Sequence, residues 1–365
     1  MLRSFWNQIL GRGEAAVTIP SLDGAFRPNQ VLDHAHTMLT IDAPDNLVNH
    51  AGRVLFSSGS TVYAVAGPGM DAVETFPRDV TALAVSPDGL LAVGLENGGV
   101  VFRGSRSVDP VLTLDGQDLV CPTACLFLDE KTLIICAGSA SNPPSEWVRD
   151  LMSRRATGSV WRFELRQRRA TCLASGLGYP NGIFSDPRGA VFISESWRHR
   201  ILEITSDAMR PPRVALGDIP GYPGRLAKKE SGGAWLSVFA PRSQLIEFVL
   251  RESGYRNRMM REVPPSYWIA PALASGRSFY EPMQGGAVKQ MGILKPWAPT
   301  RSYGLVVGLD GDMQAQQSFH SRADGERHGI VSRLETASGL IVASKGANAL
   351  LTISRAEWGH HEAAT

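Results

Sequence analysis

The chain has 365 residues, 37 Lys and Arg against 35 Asp and Glu, and 43% hydrophobic content. So even a balance leaves no basic surplus for gripping phosphates, which argues against nucleic acid as a partner, and no run of about 18 apolar residues is present to cross a bilayer. Disorder is a poor reading for such a composition, and the length suits two ordinary domains or one large all-β domain.

Met1 to Glu14 carries Phe5, Trp6, Ile9 and Leu10 on one helical face, while Asn7 and Gln8 interrupt any signal-peptide apolar region. The segment reads as a short docking helix on a cytoplasmic protein. Residues 1–40 are expected to hold this docking segment and a first strand, 41–357 the main domain, and 358–365 a tail.

From residue 46 the chain repeats itself. An apolar run leads to a polar turn, a Gly or substitute, then a second apolar run, with turn positions at Gly52, Gly89, Lys131, Gly189, Gly233 and Gly339. Successive spacings are 37 (52 to 89), 42 (89 to 131), 58 (131 to 189), 44 (189 to 233) and 106 (233 to 339). Four-stranded propeller blades recur at roughly 40 to 50 residues, so the pattern predicts an all-β, six-bladed β-propeller. A third strand is expected after each hairpin, at Ser60–Val65, Gly99–Arg103, Gly158–Phe163, His199–Ile204, Ser243–Phe248 and Asn348–Ile353. Two insertions, about 139–157 and 251–300, are expected to form helical lids on one rim, the first through Trp147, Val148, Leu151 and Met152 at helical spacing. Cys121, Cys125, Cys136 and Cys172 form no CxxC pair and read as reduced thiols rather than a zinc site or a disulfide framework.

The inner strand of a blade begins near the central channel. Counting back eight positions from each turn gives Thr81, Thr123, Asn181, Arg225 and Val331, with Asp45 and Asn46 ahead of the shorter first turn and Ser332 beside Val331. This ring is polar where strand text is otherwise apolar. Calcium wants six to eight oxygen ligands, and a ring whose one obvious carboxylate is Asp45, with the permanent charge of Arg225 beside it, compensates a divalent ion poorly. A small organic anion suits it better, with the guanidinium taking a carboxylate or phosphate and Thr123 and Asn181 giving neutral hydrogen bonds.

Several stretches carry a resemblance: Gly176-Leu-Gly-Tyr179-Pro-Asn181-Gly-Ile with Ile193-Ser-Glu195-Ser, Pro220-Gly-Tyr-Pro-Gly224-Arg225-Leu with Gly232-Gly-Ala-Trp-Leu, Gly158-Ser-Val-Trp-Arg-Phe, and Tyr303-Gly-Leu-Val-Val with Ser318-Phe-His320. Over about residues 40–355 the chain resembles the strictosidine synthase-like group of six-bladed propellers, related to gluconolactonases, regucalcin and paraoxonases. The resemblance implies a small-molecule enzyme with its site in the channel under a lid, often a calcium-dependent lactonase or esterase. Asp45 matches the first-blade acid of the family's metal site and Asn181 one asparagine. The other two positions read Thr123 and Pro223-Gly224-Arg225, which disfavours calcium here. Strictosidine synthase lacks that metal and works through a glutamate at the start of the sixth inner strand, where this chain has Ser332; Glu335 falls in the turn.

The resulting expectation is a hydrolase-like enzyme for a lactone or ester, with an anionic small-molecule ligand and no certain cofactor. Asp45 is expected as base or residual metal ligand with Asn181, Arg225 as anion or oxyanion holder, and Ser332 and His320 as further catalytic candidates beside His328. Asn46, Thr81, Thr123, Tyr179 and Asn181 are expected to bind the ligand. Glu195 is expected to be a satisfied structural acid. The alternatives are a binding or sensing propeller without chemistry, or a metal-free strictosidine synthase-like enzyme. Gly-x-Ser-x-Gly is absent, which excludes an α/β-hydrolase triad, and the oligomeric state is left open.

Overall fold

In the computed structural model, residues 19–361 are described apart from 105, 207–209, 277, 279, 283–288, 291–292 and 295–299. The expected docking helix at Met1 to Glu14 lies outside them. Six antiparallel sheets follow one another around an axis. Their inner strands are Pro44–His50, Val80–Val85, Pro122–Phe127, Pro180–Ser185, Gly221–Lys228 and Ile330–Thr336, and each touches the next until the sixth meets the first. Blade two has three strands, extended by a bridge from Val100 to Val111. Blade six takes its outer strand, His36–Thr40, from before blade one, where it pairs with Ala349–Ser354 and closes the ring.

The hairpin turns lie where the repeat places them. Gly89 and Gly189 sit at φ of 83° and 85°, a region open to glycine and strained for other residues. Lys131 substitutes in blade three because Asp129 Oδ1 accepts the amides of Lys131 and Thr132 at 2.7 and 2.8 Å and holds the turn through its side chain.

The apolar residues do not gather in one central core. They form wedges between neighbouring blades, because side chains alternate across each strand and both faces of a blade are covered. In the second strand of blade three, Leu133 and Ile135 pack toward blade two while Ile134 and Cys136 pack toward blade four. Further wedges lie between blades one and two around Val62 and Val93, four and five around Phe184 and Leu236, five and six around Trp235 and Val342, and six and one around Phe56 and Leu350. Cys121, Cys125 and Cys136 are buried free thiols and Cys172 is half-buried.

One expected strand is corrected. Ser243–Phe248 is not the third strand of blade five; Gln244–Arg251 is a helix, and the third strand is Gly304–Leu309. The run Leu245-Ile-Glu-Phe-Val-Leu250 fits either period. Its buried residues Ile246, Val249 and Leu250 fall at i, i+3 and i+4, so one helical stripe is covered. The second insertion therefore starts at Arg242 rather than at Arg251, and it returns at Tyr303. The helices are α1 (Val31–His34), α2 (Trp147–Ser153), α3 (Gln244–Arg251) and α4 (Ser253–Glu262). Leu151 and Met152 of α2, Ile246 and Val249 of α3 and Met259 of α4 join Tyr222 and Phe239 in an apolar layer over one end of the axis.

Candidate functional site

Every inner strand breaks its pairing at a corresponding position, blade five with a second shift beside it between Tyr222 and Pro223. The register with the second strand skips Thr81, Thr123, Asn181 and Val331 as single residues, Asn46 with Leu47 in blade one, and Gly224 with Arg225 in blade five. A bulge bends a strand and re-aims a side chain, and in blades two to six the bulged residues Thr81, Thr123, Asn181, Arg225 and Val331 face the same end of the channel, where blade one presents Asp45, just ahead of its bulge. Gly182 follows the bulge of blade four because a Cβ there would lie 2.3 Å from the Gly224 carbonyl and 2.7 Å from Arg225 Cα. Only glycine lets blades four and five approach so closely.

Asp45, Thr81, Thr123, Tyr179, Asn181 and Arg225 line a cavity of about 270 Å³ at this mouth. Arg225 reaches across the axis. Its Nε and Nη2 donate to the two oxygens of Asp45 at 2.9 and 3.0 Å, Nη2 also donates to the Thr81 carbonyl at 2.9 Å, and Nη1 donates to the Thr123 carbonyl. Lys345 Nζ lies 2.8 Å from Asp45 Oδ2, and the Asn46 amide donates to Oδ1 at 2.7 Å. Burial alone would raise the Asp45 carboxyl, but Arg225 and Lys345 outweigh it and hold the group well below the usual carboxylate range. Arg333, buried on the sixth inner strand, donates to Ser237 Oγ and the Trp235 carbonyl. Burial, then the nearby Arg225, pulls its guanidinium well below its ordinary range, with Asp45 opposing.

Part of the cavity wall is aromatic. Trp147, Tyr179, Trp197 and Phe239 line the cavity; Tyr179 stacks on Trp197 at 4.5 Å and Trp147 meets Phe239 edge-on at 5.5 Å. Segment 139–157 is fastened to blades two and four. Glu96 accepts from Ser145 Oγ at 2.7 Å and from the Ser145 amide at 3.2 Å, and Trp197 Nε1 donates to Asp150 of α2 at 2.7 Å. The Thr81 hydroxyl is buried without a hydrogen-bond partner among the described residues.

The expected residues divide clearly. Asn46 turns away, donating to Ser57 Oγ and the Val80 carbonyl, and Ser332 Oγ accepts the Leu47 amide, so neither lines the cavity. His320 is on the outer strand of blade five, away from the channel, with Tyr303 Oη on Nδ1 at 3.0 Å and Ser318 Oγ on Nε2 at 2.7 Å. His328 is likewise buried between Ser302 Oγ and the Arg322 carbonyl. Glu335 accepts from Trp235 Nε1 at 2.7 Å and pairs with Arg355 at the other end of its strand from the Val331 bulge. Glu195, fully buried, accepts the Gly178 amide, Arg198 and Arg200, as a structural acid does.

The count along the inner strands misses Lys345, Glu96, Trp197 and Phe239. All lie at or just past the end of a second strand, which runs antiparallel to the inner one and so returns to the same mouth. A second count from those strand ends would have found them.

No family model matches the chain. A strictosidine synthase-like protein of Arabidopsis thaliana is 22% identical over 183 residues, which cover 49% of this chain and 45% of that protein. A gluconolactonase of Xanthomonas campestris superposes with a TM-score of 0.57 at 11% identity, over 87% of this chain and 88% of that one. A structure described as a putative gluconolactonase gives 0.55 at 10% identity, over 88% and 91%. The chain thus has the six-bladed β-propeller fold, shared with these gluconolactonase structures, and over about half its length it is similar to a strictosidine synthase-like protein, of which it spans less than half.

Proposed function

We propose that the chain is a hydrolase-like enzyme whose substrate is a small lactone or ester carrying a carboxylate, bound in the channel mouth. The observation that carries this reading is the charge of the cavity. Arg225 and Lys345 share one carboxylate, Asp45, with a third cation, Arg333, buried behind. At the floor of the cavity two cations thus meet one carboxylate in a partly dehydrated place, where charge acts most strongly on an anion, while the other lining carboxylates, Asp79 and Glu96, are partly or fully exposed to solvent. The structural neighbours named as gluconolactonases support the reaction class.

A divalent cation does not suit this donor set. Arg225 already donates into the carboxylate and the Thr81 and Thr123 carbonyls, which are the oxygens a metal would use. No group of three or more His, Cys, Asp or Glu able to hold a metal exists among the described residues. The residues therefore act without one. Lys345 draws in the carboxylate, and Arg225 balances negative charge as it forms on the acyl oxygen. Asn181 orients the ring, and the aromatic residues cover its apolar face. Asp45, held ionised by two cations, is a poor proton acceptor. Asp79, exposed at the cavity rim, is the better candidate to take a proton from the attacking water. Water oxygen then bonds to the acyl carbon, the ring C–O bond breaks, and the departing alkoxide recovers a proton from solvent.

The test is turnover of a panel of carboxylate-bearing and neutral lactones and aryl esters by the native chain and by Lys345→Met. The variant is expected to lose roughly 10²-fold or more in kcat/KM on carboxylate-bearing substrates and much less on neutral ones. Tight binding of the acids with no hydrolysis of any member would instead establish a binding protein.

A further inference from the structure

A second cavity, of about 260 Å³, lies between α2, α3 and the turn Ser196–Arg198 of blade four. Its lining includes Arg154, Arg155, Arg198 and Arg251, and one carboxylate, Glu247. That carboxylate is already engaged, with His199 Nε2 at 3.2 Å and Tyr222 Oη at 3.3 Å on Oε1. Glu195 does not neutralise Arg198 alone, because it also takes Arg200. Arg154 and Arg256 both place Nη1 on the same carbonyl, that of Leu250 at the end of α3. Burial, and then Arg154 beside it, lowers the Arg256 pKa, and its Nε is buried without a partner among the described residues. The lining thus sets four guanidiniums, all solvent-exposed, against one engaged carboxylate, an excess of positive charge that a bound anion would relieve.

Arg154 adds a second indication. It caps α2 at φ of 54°, a left-handed position that ordinarily falls to glycine or asparagine. A long cationic side chain is held there against the conformational preference of its own backbone.

We propose that this cavity is an anion site for a tetrahedral phosphate, free or as a monoester, distinct from the channel mouth. Guanidiniums match phosphate oxygens in geometry as well as charge, and the volume suits a small polyatomic ion. The bound anion ties the end of α2 to the end of α3. Trp197 forms a wall of both cavities, and α2 begins at Trp147 of the channel wall. Phosphate thereby fixes the roof of the channel site.

The experiment is thermal denaturation of the full chain with millimolar inorganic phosphate or an alkyl phosphate monoester, against sodium chloride at equal ionic strength. Arg155→Glu, Arg251→Glu and Lys345→Met are run beside the native chain. The expected result is a rise of about 2–4 °C with phosphate, lost in both arginine variants and kept in Lys345→Met. A larger rise with the monoester identifies an organic phosphate as the ligand, and a larger rise with phosphate the free ion. A rise lost in Lys345→Met but kept in the arginine variants would move the anion to the channel mouth and overturn the proposal, as would a rise no greater than that with chloride. Because binding and not turnover is read, this outcome is independent of whether the channel hydrolyses anything.

Discussion

Asp45 is the residue on which the channel mouth turns. Its folded-state carboxyl lies below the ordinary range near 3.9, so its contribution to stability is present above that value and is lost as pH falls through the folded one. Asp45→Asn should cost about 3–5 kcal/mol at neutral pH, because it strands two cations in a buried place, and it should flatten the acid limb of the stability curve. Urea denaturation of both proteins between pH 3 and pH 7 checks this; parallel acid limbs would show that the pair is unimportant. Glu335 makes the opposite case. Joined to Trp235 and Arg355 away from the mouth, it should cost about 1–3 kcal/mol when replaced by Ala and leave turnover unchanged. A selective loss of turnover in that variant would return Glu335 to the reaction.

At the scale of elements, the inner strands were readable because turn and bulge are separated by a nearly constant count. The hairpin turns needed glycine or a side-chain clamp, and those are visible in Gly89, Gly189 and Asp129. Ser243–Phe248 was misread because a short apolar run carries no period that separates strand from buried helix. His320 and Ser332 were chemically suitable but misplaced, since chain neighbourhood does not reveal which face of a blade a residue takes. Lys345 escaped because it follows a second strand, a position the count did not visit. The latch of Glu96 on Ser145 is another long-range pairing, joining blades two and three across 49 positions of chain. Glu96→Ala should release segment 139–157 and speed limited proteolysis within it several-fold, with little change in global unfolding. An unchanged digestion pattern would mean that Trp197 and Asp150 hold the segment without it.

For the whole molecule, stability is distributed over six wedges closed by one strand taken from ahead of blade one. Removing His36–Thr40 should expose the edge of Ala349–Ser354 and uncover Leu350. The melting temperature of the shortened chain should fall by several degrees, and association should rise with concentration. The closed ring also explains why the mouth is so rigidly assembled: Arg225 of blade five can meet Asp45 of blade one and the carbonyls of blades two and three only if all six blades are in place. That guanidinium occupies the oxygens a divalent ion would need. Calorimetric titration of calcium into chelator-treated protein tests this most directly. The account predicts no binding heat and no change in melting temperature with calcium or chelator; stoichiometric calcium binding, with a melting temperature that falls when the ion is removed, would contradict it.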